Sequence, residues 1–162
     1  MPLLDVLKGT EFGRTLITFV VAMMPIVELR GAIPIGVSMG IGNWKAMLIS
    51  VLGNMLPVPF IIIFIRRIFA WLRTKSQRLE KMVSSLEVRA EGKWDKVHKY
   101  ELLGLTVLVA IPLPGTGAWT GALIAAIMDL RMKTAIPAIF AGVLIAGFLV
   151  TGLTYGFTTI IS

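Results

Sequence analysis

The sequence predicts an all-α integral membrane protein built as an inverted repeat. Each half is a re-entrant broken-helix hairpin followed by one spanning helix, and a basic amphipathic helix joins the halves on the cytoplasmic side. Three observations lead there. Hydrophobic residues make up 56% of the 162 positions and charged residues only 15%, with a mean hydropathy of +0.85, whereas soluble domains average about 25% charged. Ala46 to Ile65 and Thr134 to Ile161 run for twenty and twenty-eight positions without a charge, beyond the roughly 18 that mark a spanning helix. The two other apolar runs, 15–42 and 102–128, are each interrupted near the middle by Pro and Gly.

The elements follow in order. In the hairpin at 15–42, Thr15 to Val27 and Ala32 to Gly42 make about 20 Å and about 16 Å of helix, too short to cross a hydrocarbon core of roughly 30 Å. Between them lie Glu28, Arg30 and Gly31, with Pro25 before and Pro34 after. A helix, a break at membrane depth and a helix back out is permitted where the broken backbone is buried in protein or lines a cavity; one continuous, tilted and kinked helix is the competing reading. The spanning helix 46–65 is flanked by Trp44 and Lys45 on one side and by Arg66, Arg67 and Trp71 on the other, as expected at two water interfaces. Asn54, Pro57 and Pro59 interrupt it, which predicts a kink turned toward other protein.

Charge places the middle of the chain. Arg66 to Lys99 hold ten of the sixteen Lys and Arg and four of the nine acids, so +6 of the net +7 sits there. By the positive-inside rule the segment 66–101 is cytoplasmic. Leu79, Met82, Val83, Leu86, Ala90, Trp94 and Val97 recur at spacings of three and four, the pattern of an amphipathic helix, and the anionic inner leaflet is the expected partner of 66–99. No recognised motif accompanies this charge, so nucleic acid is not an expected partner. The second hairpin, 102–128, carries Pro112, Pro114, Gly115 and Gly117, and the helix 134–161 closes the chain, with Gly152 and Gly156 read as packing positions.

The halves resemble one another. Ile33-Pro34-Ile35-Gly36-Val37-Ser38-Met39-Gly40 superposes on Pro114-Gly115-Thr116-Gly117-Ala118-Trp119-Thr120-Gly121 at a shift of 81, matching two GxxxG steps. With the central loop inside, helix 46–65 runs inward and helix 134–161 outward. The hairpins then enter from opposite sides, a plan recurrent in secondary transporters. The expectation is one multi-pass domain, 1–162, in the cytoplasmic membrane, with repeats at 15–65 and 102–161. Membrane lipid is the expected surrounding, and a homodimer or other homo-oligomer would help bury the broken backbone. Asp5, Lys8, Glu11 and Arg14 near the start, with no small-residue cleavage motif after the apolar run, do not read as a removable signal peptide.

Glu28 and Arg30 are the chemical lead. A charge at the bilayer centre costs roughly 2.5 to 3.5 kcal/mol on insertion scales and is usually retained for function; a salt bridge that only locks packing is the alternative. The candidate site joins Glu28, as a proton carrier, to Arg30, Gly31, Pro34 and Gly36 of the first hairpin and to Pro112, Pro114, Gly115, Thr116 and Gly117 of the second. The returning half-helices are expected to begin near Ile33 to Ile35 and Gly115 to Gly117, where free amides favour an anion. Arg30 adds a planar fork suited to phosphate or carboxylate, unless Asp129 or Glu101 is its partner. Glu28 would repel a bound phosphate unless protonated, which couples proton uptake to anion binding. In a proton/drug antiporter the same carboxylate would exchange protons for a lipophilic cation, and Arg30 disfavours that cation.

Enzyme chemistry is not expected. With no cysteine there is no thiolate or disulfide. His98 is the only histidine and has no ligand constellation around it. Ser38, Ser50, Thr116 and Thr120 read as polar contacts between helices, with no base beside them. No catalytic residue, metal ligand or cofactor is assigned, and a non-transport assembly role is the remaining alternative.

Glu28 to Pro34, the Pro-Leu-Pro-Gly-Thr-Gly run at 112–117 and the two-hairpin plan resemble the small multidrug export protein family, over about 15–161. That family is similar to the DedA (VTT-domain) superfamily of membrane-embedded lipid transporters, which includes translocases of undecaprenyl phosphate. The resemblance implies that Glu28 is the counterpart of their membrane glutamate in proton coupling, and that Pro34 to Gly36 is the turn after it. DedA proteins place another acid near that turn, where this chain has Val37-Ser38-Met39, and arginines around the second hairpin, where Leu105 to Gly121 has none. The implied function is proton-coupled translocation of an anionic lipid such as a polyprenyl (undecaprenyl) phosphate. A small proton-coupled exporter of lipophilic compounds is the alternative.

Overall fold

The computed structural model of the chain describes residues 9–95, 101–113 and 115–161, with side chains except those of Glu101 and residues 157–161. The expectations for Lys8, His98, Pro114 and Ser162 lie outside the described residues. Among those described, every regular element is a helix: α1 (Glu11–Met23), α2 (Glu28–Ser38), α3 (Asn43–Met55), α4 (Pro57–Lys75), α5 (Gln77–Trp94), α6 (Glu101–Ala110), α7 (Ala118–Ile127) and α8 (Met132–Ile161).

Local chemistry sets the boundaries. Thr10 caps α1, its hydroxyl accepting from the Gly13 N–H at 3.1 Å, with Glu11 in the first turn where the helix dipole favours it. α1 stops at Met23 because Pro25 holds Met24 extended (ψ 135). Pro57 opens α4 at the position that has no use for an amide. Ser76 caps α5 by accepting from the Arg78 N–H at 3.2 Å.

The helices form two compact units. The first holds Met1–Leu56 and Val143–Ser162. There α1, α2 and α3 pack against one another through glycines that bring backbones close. A Cβ on Gly36 would lie 3.0 Å from the Thr18 side chain and 3.2 Å from Ala46, and one on Gly53 would lie 2.5 Å from the Phe19 carbonyl. The later part of α8 joins this unit, with Gly147 against Met47 and Val51 and Phe148 edge-on to Trp44 at 6.0 Å. Arg14 donates to the Met39 carbonyl at 2.8 Å, closing the end of α2.

The second unit is Pro57–Gly142. α4 packs on α5 and α7, and α6 on α7. The start of α8 lies on α6, where the Thr106 hydroxyl donates to the Ala138 carbonyl at 3.0 Å and Gly142 abuts Val109. Ala90, Leu108 and Ile124 form a small core against Trp94, Ile127 and Met128.

Two helical stretches are long and apolar enough to cross a membrane: Asn43–Lys75, interrupted at Leu56, and Met132–Gly156, each with a mean hydropathy of 2.3. The first begins three residues before the expected 46 and ends at Lys75 rather than 65, so Arg66–Lys75 belong to the long helix and not to the amphipathic segment. Nothing between Ile65 and Lys75 breaks a helix, and the Lys75 ammonium lies 5.1 Å from the Trp71 ring centre. In place of one kinked helix in each hairpin run, the chain folds back at 24–27 and at 111–117, between helices of 13 and 11 and of 10 and 10 residues. The first pair is displaced toward the N-terminus from the expected bounds. Pro25 ends α1 one turn early, while Pro34 sits inside α2, where its missing N–H leaves nothing for the Arg30 carbonyl to accept from it.

The close approach at Gly53 predicts that Gly53→Ala lowers stability by about 1 to 3 kcal/mol. Gly92→Ala, on α5 with open space around it, is expected to raise stability by about 0.5 to 1 kcal/mol. Thermal unfolding of the detergent-purified variants checks both.

Candidate functional site

The turn between α1 and α2 exposes its apex and buries its charge. Ile26 is 94% exposed, whereas Glu28 is 4% and Leu29 2% exposed. The Glu28 N–H donates back to the Met24 carbonyl at 3.0 Å and the Gly31 N–H to Val27 at 3.1 Å. Glu28 itself has φ +49, a left-handed conformation that costs a non-glycine residue of order 1 to 3 kcal/mol and clusters at functional sites. Arg30 follows, half-buried.

The returning helix therefore begins at Glu28, not at Ile33 to Ile35 as expected, because Pro34 is accommodated within it. Glu28 and Arg30 lie in its first turn, and the two amides just named are already engaged by Met24 and Val27. Pro34 is exposed one turn below Arg30. Gly36, buried against Thr18 and Ala46, and Gly31, against Val27, are positions where backbones and side chains meet closely.

The second hairpin tip is held differently. Gly115 (φ +78) and Gly117 (φ +121) take conformations that side chains resist. The Thr116 hydroxyl bridges the Ile111 and Leu113 carbonyls at 2.7 Å each, and the Thr120 hydroxyl donates to the Gly115 carbonyl at 3.2 Å. Pro112 is exposed beside them. The Lys93 ammonium, from α5, also donates to the Gly115 carbonyl. The segment 105–121 contains no charge of its own, and the one sequence signal for Lys93 is that it follows Leu86 by seven residues, on the edge of the apolar stripe of α5.

α5 turns Val83 and Ala90 inward and leaves Met82 and Leu86 exposed at 48% and 36%. Asp129, one of the partners considered for Arg30, accepts from Arg66 at 2.6 Å. Of the predicted site residues, those of the first hairpin lie in the first unit and those described of the second hairpin in the second. Among the described residues no group of His, Asp or Glu could hold a metal ion.

Three further groups stand out in the first unit. The Ser50 hydroxyl, both polar atoms of the Asn54 carboxamide and the Thr151 hydroxyl are buried without a hydrogen-bond partner. Ser50 was expected to serve as a polar contact between helices. Thr18 and Thr154 take the usual course, donating to the carbonyls four residues back, Arg14 at 2.9 Å and Val150 at 2.8 Å. At the other end of α1, Glu11 pairs with Lys45, whose ammonium holds the Glu11 carboxyl below the usual carboxylate range.

Lys93→Gln is expected to loosen the 111–117 loop while leaving the fold intact. The loss of one hydrogen bond to a charged donor, about 1.5 to 3 kcal/mol at most, should appear as a rise of up to about ten- to a hundredfold in amide hydrogen exchange at Thr116, with Lys93→Arg restoring protection.

Residues 28–149 match the family model described as "Putative small multi-drug export protein", about three quarters of the chain and beginning at Glu28 itself. No curated protein and no solved structure matches the chain significantly. An export family and two long apolar helices together mark a membrane protein, and the chain belongs to the small multi-drug export protein family.

Proposed function

We propose that the protein is a proton-coupled transporter of amphipathic molecules with an anionic head, a polyprenyl phosphate being the lipid example, in which Glu28 carries the proton and Arg30 holds the anion. The observation that carries this reading is Glu28, an acidic residue only 4% exposed and held in a strained conformation within two residues of a guanidinium. Loss of the Glu28 charge on protonation leaves Arg30 to engage an anion, and deprotonation releases the anion by repulsion. Export of lipophilic cations is the second reading. The family description, multi-drug export, supports export as such, and Arg30 opposes a cationic cargo.

In this reading the hairpins are re-entrant and the halves form an inverted repeat. Support comes from the eight-residue sequence match at a shift of 81, from hairpin helices of 10 to 13 residues, and from the make-up of the units. Each unit joins one hairpin to the first part of the long helix that follows it and to the later part of the other long helix. The basic helix α5 faces the anionic inner leaflet with Met82 and Leu86, and a homo-oligomer covers further apolar surface.

In proteoliposomes with an imposed proton gradient, Glu28→Gln should abolish proton-driven flux. Arg30→Gln should lower polyprenyl phosphate flux by about ten- to a hundredfold, the worth of a charged hydrogen bond. Phosphate-lipid flux indifferent to Arg30→Gln sinks the proposal, and lipophilic-cation flux that survives Glu28→Gln sinks the second reading. Topology has its own check in this cysteine-free chain: Lys8→Cys and Ser162→Cys should react with impermeant reagent from outside and Lys133→Cys only from the cytoplasm, whereas four full crossings reverse that pattern.

A further inference from the structure

We infer that the first unit contains a narrow hydrated passage, leading along α3 from a surface cleft to Glu28, that supplies water and protons to that carboxyl. The inference rests on the reading of Glu28 as the proton carrier. It begins with the unsatisfied groups. Asn54 is 0% exposed, Ser50 is 0% and Thr151 is 6% exposed, and none of their buried polar atoms has a partner in the protein. Buried polar groups are nearly always satisfied, and a carboxamide offers two donors and an acceptor that rotation alone cannot hide. Water is the ligand that fits, since it needs only polar partners and little room.

The groups are ordered in space. Asn43, Met47, Ser50 and Asn54 follow one another at intervals of four, three and four residues, one stripe of α3. The start of that stripe faces α8, because Gly147 lies against Met47 and Asn43 shares a cleft with Thr151, one turn further along. A cleft of about 500 Å³ lined by Asn43, Trp44, Phe148, Thr151, Gly152 and Tyr155 opens at the start of the stripe. From Asn43 to Asn54 is about 16 Å of helix.

The register carries the passage to Glu28. Gly36 of α2 meets Ala46 of α3, and α2 runs antiparallel to α3 across the short turn at 39–42. Eight residues back along α2 is Glu28 and eight forward along α3 is Asn54, each about 12 Å from that contact. Asn54 and Glu28 therefore share one level of the unit. Glu11, Arg14 and Lys45 lie at the opposite end, α8 from Val143 to Ile161 carries no charge, and among the described residues Arg30 alone shares the Glu28 end. A hydronium at this level gives its proton to the Glu28 carboxylate and stays as water on the Asn54 carboxamide; the reverse step returns the proton.

Silver ion, water-sized and thiol-specific, tests this in the full-length, detergent-purified chain without substrate or gradient. Thr151→Cys, Ser50→Cys and Asn54→Cys should each be blocked by silver at least a hundredfold faster than Ile33→Cys, which is equally buried but apolar; protection from maleimide after denaturation gives the rate. Ser50→Cys and Asn54→Cys as slow as Ile33→Cys, with Thr151→Cys reactive, would end the passage at the cleft and overturn the inference. Should Asn54→Cys fail to fold, the smaller change Ser50→Cys decides alone. Fast blocking in a protein whose transport ignores Glu28→Gln would leave the passage standing and remove the proton-carrier reading.

Discussion

In an apolar setting a backbone or side-chain polar group that leaves its helix finds no water waiting, and the way each such group is closed off organises this chain. The turns at 24–27 and 111–117 show two ways of doing so. At the first, the turn is sealed by its own amides, Glu28 back to Met24 and Gly31 back to Val27, and the geometry that permits this puts Glu28 at positive φ. At the second, the backbone seals itself only in part, the Leu113 N–H donating to the Ile111 carbonyl and the Thr116 N–H to that of Leu113. Two glycines at positive φ open the loop, and the Thr116 hydroxyl and the Lys93 ammonium close its carbonyls from outside the helix ladder.

That difference separates what was legible in the sequence from what was not. Long apolar runs, the two Pro/Gly interruptions and the 3.6-residue pattern of α5 are properties of local chemistry, and each appears as an element. Boundaries depended on which proline breaks a helix. Pro25 does, because the residue before it is pushed to extended backbone; Pro34 does not, because the rest of α2 continues around it. Periodicity treats the two alike, so Glu28 and Arg30 were placed in a break when they stand in a first turn. Lys93 at the Gly115 carbonyl was beyond reach for another reason: a contact across 22 residues leaves no trace in either segment read alone.

Glycine had two meanings, and spacing could not tell them apart. The GxxxG steps of the two hairpins match at a shift of 81, yet Gly36 serves close packing between helices and Gly117 serves a left-handed cap. The sequence repeat thus records a shared pattern of small residues rather than a shared local conformation. Function assigned to one half by analogy with the other has to be argued again from the residues of each.

Polar satisfaction is distributed unevenly as well. In the second unit, Thr106, Thr116, Thr120 and Lys93 all reach carbonyls, and none of the unsatisfied side chains among the described residues lies there. In the first, Ser50, Asn54 and Thr151 are buried without partners in the unit that also buries Glu28. Leaving three such groups unmet costs about 1 to 3 kcal/mol each by protein measures, and apolar side chains of similar volume would remove that cost. Retaining them beside a buried carboxyl is understandable if water completes them. On the proposed reading the first unit is the one that would handle protons, while the second supplies a loop stiffened by a cation that its own hairpin lacks.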